Sequence, residues 1–172
     1  MKEDWQEIVV GGFLRSIPLL ISLAMLLFSF IPLGSGLAGN ARPDVNLICI
    51  FFWLIYRPDL FNLFSIFVLA SVTDIFTAAP LGLNLLAQLP LYLLMTNTVK
   101  YLNGKPFVLL WLVFAVFLWV PLLGKWLVAS IYYGQFLSLG MLMFSYFTTL
   151  LFYPLVCGIN ARILNSFLQD EE

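Results

Sequence analysis

A single carboxylate stands inside an otherwise uncharged apolar stretch of this chain. Asp74 is the only charged residue among the 40 positions between Asp59 and Lys100. A charged side chain inside a membrane span is costly, and it characteristically marks a proton relay, an ion site or a contact between helices. Asp74 is therefore the first candidate for chemistry, and residues 73–82 around it are the first candidate for a site.

The remaining residues exclude most enzymatic chemistry. An intramembrane aspartyl protease needs two carboxylates in the membrane, and Asp74 has no second acid in its stretch. The chain contains no histidine, which excludes His-ligated zinc, His-ligated haem and any Ser-His or Cys-His nucleophile pair. Aspartate clusters that hold metal and diphosphate are missing, as are Walker-type phosphate loops. We therefore expect a protein that is not an enzyme and uses no cofactor or metal.

The composition predicts a membrane protein. Hydrophobic residues make up 62% of the 172 positions and charged residues 10%, whereas soluble domains carry about 25% charge. Too few polar residues are present to cover a soluble globule of this size. We expect an all-α, polytopic membrane protein with a single domain of about six transmembrane helices. Cys49 and Cys157 both fall in apolar segments, where thiols are usually inert small hydrophobes.

Apolar runs divide the chain into six predicted spans. A cytoplasmic interfacial leader covers residues 1–16, the transmembrane bundle covers 17–160, and a cytoplasmic tail covers 161–172. The second span has 12 residues and would rise only ~18 Å as a helix, short of the ~30 Å hydrocarbon core. It must therefore extend into its flanks, lie in thinned bilayer or be re-entrant. The predicted spans are 17–33, 45–56, 60–79, 83–99, 107–131 and 136–159.

The placement of basic residues favours six crossings. With a cytoplasmic amino terminus and six spans, six of the eight Lys and Arg residues fall on the cytoplasmic side, and Arg42 and Lys125 fall toward the outside. If residues 45–56 do not cross, Arg57, Lys100 and Lys105 move outside. Because cytoplasmic loops are enriched in Lys and Arg, six crossings with both termini cytoplasmic fit better.

Two matching triplets flank the short second span. Residues 42–44 and 57–59 both have the sequence Arg-Pro-Asp. Proline suits the first turn of a helix, and a neighbouring acid suits the positive end of the helix dipole. Pro43 and Pro58 are therefore predicted to start the second and third spans. The alternative is that both triplets are simple turn residues.

Three roles remain open for Asp74. Counted from Leu60 it lies ~21 Å into its span, and Lys125 lies ~27 Å into the span that begins at Phe107. The two spans enter from the same side, so an Asp74–Lys125 ion pair is one hypothesis. A local cap is the second, with the carboxylate bound to backbone N–H groups near Pro80 and Gly82. Contact with a partner or a functional groove is the third.

The polar residues of the spans allow transport or scaffolding. Scattered Ser, Thr, Asn and Gln residues could line a small binding pocket, and a lone acid could hold a cation. Small residues, hydroxyls and amides equally let membrane helices pack closely and hydrogen-bond across an interface. A chain with so little mass outside the spans must meet its partners largely through those spans.

The layout around Asp74 resembles that of a known family. A short apolar segment runs from Pro43 to Pro58, an apolar span then reaches Asp74, and Leu81-Gly82 lies just beyond. This pattern, the length and the six-span count resemble MreD, the rod-shape-determining inner-membrane protein of bacteria. The specific part of the resemblance covers about residues 43–82.

The chain departs from the family pattern at two places. The family often has glycine four residues before the aspartate, where this chain has Ala70. It also often has glycine in the turn between the aspartate and Leu-Gly, where residues 78–80 are Ala-Ala-Pro. The candidate structural or partner-binding residues are Pro43, Pro58, Asp74, Leu81, Gly82 and Lys125.

The resemblance implies a role in cell shape and peptidoglycan synthesis. It implies a non-enzymatic scaffold subunit of the cell-elongation machinery in the bacterial inner membrane, embedded in the lipid bilayer and without nucleic acid. The implied partners are the bitopic protein MreC, and with it MreB filaments, RodA and penicillin-binding protein 2. The MreD fold is similar to the substrate-binding subunits of energy-coupling-factor transporters. A small-solute-binding subunit of such a transporter is therefore the alternative function.

Overall fold

Helices form nearly all of the structure. The computed structural model describes the backbone of residues 2–31 and 43–169, and the side chains of residues 16–31 and 43–166. In these ranges the chain forms helices and no strand, which confirms the predicted all-α class for this part of the protein. The helices are α1 (Lys2–Ser29), α2 (Val45–Tyr56), α3 (Leu63–Thr77), α4 (Leu83–Leu102), α5 (Phe107–Phe117), α6 (Trp119–Tyr133) and α7 (Leu139–Gln169).

The short helix α2 is the centre of the bundle. It packs against α1, α4 and α7, and every residue from Val45 to Ile55 is buried. A helix that is apolar on all sides must be covered on all sides, and here protein covers it. Phe51, Phe52 and Trp53 are therefore core residues, and their aromatic character reflects packing.

Helices α5 and α6 form one interrupted helical segment. Leu118 separates them and keeps a right-handed helical conformation, with its N–H directed to Phe114 and Val116. Pro121 has no N–H to offer the carbonyl of Phe117 four residues earlier, so the hydrogen-bond ladder is broken at this point. Helix α7 then packs along both halves. Trp111 Nε1 donates to the Leu150 carbonyl at 3.2 Å, and Tyr146 Oη donates to the Ala115 carbonyl at 3.1 Å.

Large apolar side chains cover much of the outer surface. Two helical stretches, Phe107–Tyr133 and Leu139–Ser166, are long and apolar enough to cross a membrane. Only 28% of the residues in the most apolar part of each stretch are buried, so most residues there are at least partly exposed, unlike those in the core helix of a soluble protein. Exposed apolar surface on this scale is typical of a protein that contacts lipid or a partner.

Several helix boundaries differ from the predicted spans: α1 ends at Ser29 instead of residue 33, and α3 ends at Thr77 instead of residue 79. Helix α3 begins at Leu63, where the Asn62 side chain accepts the Ser65 N–H at 3.1 Å. The prediction that Pro58 starts this helix is wrong: Pro58 lies in a turn closed by the Leu60 N–H and the Arg57 carbonyl. Helix α4 continues to Leu102, and α7 begins at Leu139.

The structure describes only parts of the predicted leader, of the segment between the first two predicted spans and of the predicted tail. Helix α1 continues without a break through the predicted leader. Most of the predicted loop 34–44, including Arg42, lies outside the described residues, as do the last residues of the predicted tail.

Candidate functional site

Asp74 joins the end of α3 to the start of α4. Its carboxylate is fully buried, with 0% of the residue exposed. Oδ2 accepts the backbone N–H of Gly82 at 2.7 Å, and Oδ1 accepts the backbone N–H of Asn84 at 3.1 Å. The Asn84 side-chain amide also donates to Oδ1, at 2.7 Å. The structure therefore confirms the local-cap hypothesis.

This arrangement explains why a buried acid is tolerated here. The first N–H groups of a helix have no partner inside the helix, and they carry the positive end of its dipole. The Asp74 carboxylate supplies those acceptors for α4 from the neighbouring helix. Three hydrogen bonds to a charged group, each worth roughly 1.5–3 kcal/mol, offset the cost of burying the charge.

The turn between α3 and α4 depends on two left-handed residues. Ala78 adopts φ +50° and Gly82 adopts φ +95°. Ala78 ends α3 in a Schellman motif, in which the Ala79 N–H binds the Asp74 carbonyl at 3.0 Å and the Ala78 N–H binds the Ile75 carbonyl at 3.3 Å. Glycine is the usual residue at such a position. The corresponding turn in the MreD pattern often carries glycine, and here Ala78 adopts the left-handed conformation that glycine usually adopts.

Lys125 pairs with Asp44 and not with Asp74. Its Nζ contacts Asp44 Oδ2, and both side chains are largely buried. The hypothesis of an Asp74–Lys125 pair is wrong because the Asp74 carboxylate is directed to the start of α4. Asp44 precedes α2 and makes no side-chain cap to it. Its backbone N–H donates to Thr149 Oγ1 on α7 at 2.9 Å, so this residue ties α2 to both α6 and α7.

A close approach of α6 to α4 brings Lys125 into position. A Cβ atom on Gly124 would lie 3.2 Å from the Ala87 Cα and 3.4 Å from its Cβ. Contacts of this kind between small residues let helix backbones approach closely. Because Gly124 precedes Lys125, the same contact fixes where α6 presents its lysine.

A cavity of about 270 Å³ lies beside these groups. It is partly open to the outside and is bordered by α1, the start of α2, the α3–α4 region and α6. Asn84 and the Asp44–Lys125 pair both line it, whereas Asp74 lies directly behind Asn84. Its lining combines hydrocarbon with hydroxyl, amide and charged groups, and consists of Leu26, Ser29, Phe30, Pro43, Asp44, Val45, Thr73, Thr77, Ala79, Leu83, Asn84 and Lys125.

Several buried polar atoms near the cavity lack a hydrogen-bond partner. Asn84 Oδ1 has none, although Asn84 is only 4% exposed. Asn46 donates weakly to Thr73 Oγ1 at 3.4 Å, but its Oδ1 has no partner. Both amide atoms of the fully buried Gln88, one turn after Asn84, are also unpartnered. Buried polar atoms are normally paired, so this group of amides is an unusual feature of the bundle.

A second buried polar group lies away from the cavity. Asn160 Nδ2 donates to the Val156 carbonyl at 3.0 Å and lies 3.4 Å from Met25 Sδ. Cys49 Sγ is 3.7 Å from the same sulfur. Cys49 and Cys157 are both free and buried, as predicted for inert apolar thiols.

The structure separates the predicted site residues into three groups. Asp74 and Gly82 meet directly, and Pro43 and Lys125 line the adjacent cavity. Leu81 is 78% exposed on the outer surface, and Pro58 lies in the α2–α3 turn. The sequence analysis did not assign roles to Asn84 and Thr149. Asn84 had a signal, because an amide at the second position of a helix, ten residues after a buried acid, is well placed to bind it.

Comparisons with known proteins add no relative. No protein-family model, curated protein or solved structure matches this chain significantly.

Proposed function

We propose that this chain is a multi-pass subunit of the bacterial cytoplasmic membrane that acts as a scaffold in the cell-elongation machinery. In this role it binds an MreC-like bitopic protein and, through it, the MreB filament, RodA and penicillin-binding protein 2. It performs no chemistry of its own. The resemblance to MreD is the basis of the proposal.

One observation gives that resemblance a physical meaning. Two of the residues that carry it meet directly, because the Asp74 carboxylate accepts the backbone N–H of Gly82. The apolar segment between Pro43 and Pro58 is the fully covered central helix α2. A shared motif is expected to survive where it builds the fold, and in this chain the Asp74–Gly82 contact and the covered helix α2 are both part of the framework of the bundle.

The arrangement of the polar groups supports six crossings. If α5 and α6 count as one span, six helical spans alternate in direction, with the amino terminus inside. The end of α1, the start of α2, the end of α3 and the start of α4 then all lie on the outer side. These are the parts of the chain that converge on the cavity together with Lys125, so the proposed topology and the observed convergence agree.

The topology can be tested with reporter fusions. Alkaline phosphatase is active outside the membrane and green fluorescent protein inside it. Fusions within residues 57–62 and 103–106 and at both termini should fluoresce, and fusions within residues 134–138 should show phosphatase activity. Phosphatase activity at residues 57–62 would mean that α2 does not cross, and six spans would then be wrong.

The scaffold role can be tested by depletion and complementation. Depleting the protein in its host should convert rods to round cells, and the host's MreC should co-purify with the tagged chain from detergent-solubilised membranes. The Asp74→Ala variant should fail to restore the rod shape, and Asp59→Ala, at an exposed acid, should restore it. Rods that persist on depletion, together with no recovery of MreC, would refute the proposal.

The cavity favours a second candidate function. A small-solute-binding subunit of an energy-coupling-factor transporter needs a pocket between its helices, and the chain has one of about 270 Å³ with a mixed apolar and polar lining. This candidate predicts co-purification with an energy-coupling ATPase module and saturable solute uptake that depends on the chain. Recovery of MreC without any ATPase module would favour the scaffold.

A further inference from the structure

The hydroxyl groups of the cavity wall can offer a ligand only lone pairs. Thr77 Oγ1 donates its proton to the Thr73 carbonyl at 2.7 Å, and Ser29 Oγ donates to the Leu26 carbonyl at 2.6 Å. Thr73 Oγ1 donates to the Leu69 carbonyl at 2.7 Å. A hydroxyl has one proton and two lone pairs. With each proton bound to a backbone carbonyl, these side chains act toward the cavity as acceptors.

Asn84 provides a further hydrogen-bond acceptor in the cavity wall. Its amide nitrogen is committed to Asp74, at 2.7 Å, and its Oδ1 has no partner although the residue is 4% exposed. Leaving a buried acceptor unpaired costs about 1–3 kcal/mol. The bond to Asp74 fixes the orientation of the amide, so Asn84 keeps an unmet acceptor in the cavity wall, and a donor reaches it by displacing the atoms that cover it.

The charges around the cavity favour a cation. Asp44 and Asp74 contribute two negative charges, and Lys125 contributes one positive charge that is bound to Asp44. The described charged groups at this site therefore sum to −1. A ligand that both donates hydrogen bonds and carries a positive charge satisfies the acceptors and balances the charge.

We propose that the cavity binds a small molecule through a primary ammonium group. The ammonium would donate to Asn84 Oδ1 and to the Thr77 and Ser29 hydroxyl oxygens. The apolar remainder of the ligand would pack on Leu26 and Leu83, which line the same cavity. At about 30 Å³ per water molecule, the cavity has the volume of about nine waters, which suits a compact amine. This site needs only the cavity, and it stands whether the chain is a scaffold or a transporter subunit.

The test uses three probes that share the phenylethyl group, applied to the purified full chain in detergent. These are 2-phenylethylamine, its neutral counterpart 2-phenylethanol, and the trimethylated amine, which keeps the charge but has no N–H donor. The amine should bind saturably in calorimetry and, at a tenfold excess over its Kd, raise the Tm by about 3–5 °C. The other two should do neither. No Tm shift with the amine, or an equal shift with 2-phenylethanol, would overturn the proposal.

A matched pair of variants locates the binding. Thr77→Val removes a cavity oxygen whose proton is bound to the carbonyl four residues earlier. Thr98→Val removes the same kind of hydroxyl, bound to the Leu94 carbonyl at 2.8 Å on an exposed face away from the cavity. Thr77→Val should weaken amine binding about tenfold, and Thr98→Val should leave the Kd unchanged. Equal Kd values for the two variants would place binding elsewhere and refute the site.

Failure here is distinguishable from failure of the proposed function. The binding assay uses the isolated chain, whereas the scaffold role is judged by cell shape and recovery of MreC. If the purified Thr77→Val chain binds the amine more weakly, and cells that carry this variant remain rods, the two properties are separate.

Discussion

Two acids near the cavity, the fully buried Asp74 and the largely buried Asp44, are stabilised in different ways. Asp74 accepts three hydrogen bonds from Gly82 and Asn84, which lie within ten residues of it in the sequence, and two of the donors are backbone N–H groups. Asp44 is held by the side chain of Lys125 from another helix. The first arrangement is built from a turn only a few residues long. The second depends on how α2 and α6 pack, so it depends on the whole bundle.

The difference shows which of the two can be anticipated from local sequence. A carboxylate that binds the start of the next helix needs only the right spacing, and residues 74–84 contain everything it uses. An ion pair across the fold needs two residues 81 positions apart to be brought together by packing. Four predictions follow from the contrast, beginning with the local arrangement.

The largest effect is expected from removing the Asp74 carboxylate. Asp74→Ala leaves the Gly82 and Asn84 N–H groups buried without their acceptor, and each such loss costs about 1–3 kcal/mol. We expect the free energy of unfolding to fall by about 3 kcal/mol, measured by equilibrium unfolding in mixed detergent. The control is Asp59→Ala, whose side chain is 63% exposed and lies 3.6 Å from Arg57. Equal losses in the two variants would mean that the cap contributes nothing.

The ion pair should behave as a coupled unit. Asp44→Asn or Lys125→Met alone leaves a largely buried charge unpaired, and we expect each to cost about 2 kcal/mol. The double variant should cost less than the sum of the two by at least about 1 kcal/mol.

A second cycle tests the partner assignment. Asp74→Asn combined with Lys125→Met should be additive to within about 0.5 kcal/mol, because these two residues bind different groups. Strong coupling in this cycle, with none between Asp44 and Lys125, would reverse the assignment. Both cycles use the same unfolding measurement.

A smaller effect is expected where α6 approaches α4. Gly124→Ala places a Cβ atom 3.2 Å from the Ala87 Cα, and we expect a loss of about 1 kcal/mol from overpacking. Gly158→Ala is the control, because nothing lies within 4 Å of a Cβ atom at that helical position. It should be neutral or gain up to about 1 kcal/mol from helix propensity. A neutral Gly124→Ala would show that the two helices can separate freely, and the Lys125 position would then not depend on this contact.

The smallest effect is expected at Ala78, and it is stabilising. Ala78 holds φ +50°, a conformation that glycine adopts without the steric penalty of a Cβ atom. Glycine also increases the conformational entropy of the unfolded chain, which offsets part of this gain. Ala78→Gly should therefore raise the free energy of unfolding by a net amount of about 0.5 kcal/mol. Ala79→Gly, next in the same turn and without positive φ, should lower it slightly. Destabilisation by Ala78→Gly as large as that by Ala79→Gly would argue against the left-handed turn.

The sequence alone determined the helical class and most helix positions, and it included the local cap among three open roles for Asp74. These features follow from runs of apolar residues and from contacts within about ten positions, so local pattern carries them. It also offered Asp74 as the partner of Lys125, and that hypothesis was wrong because Lys125 binds Asp44. Equal depth along two spans says nothing about which helices are neighbours or which way each side chain is turned.

The tertiary structure alone decided which apolar helix is the centre and where the cavity lies. Helix α2 and the segment from Phe107 are both strongly apolar, yet the first is covered by protein, whereas most residues in the most apolar part of the second are at least partly exposed. Hydrocarbon is buried equally well by protein or by lipid, so composition cannot distinguish the two environments. The cavity likewise exists only where residues from separate helices fail to fill the space between them.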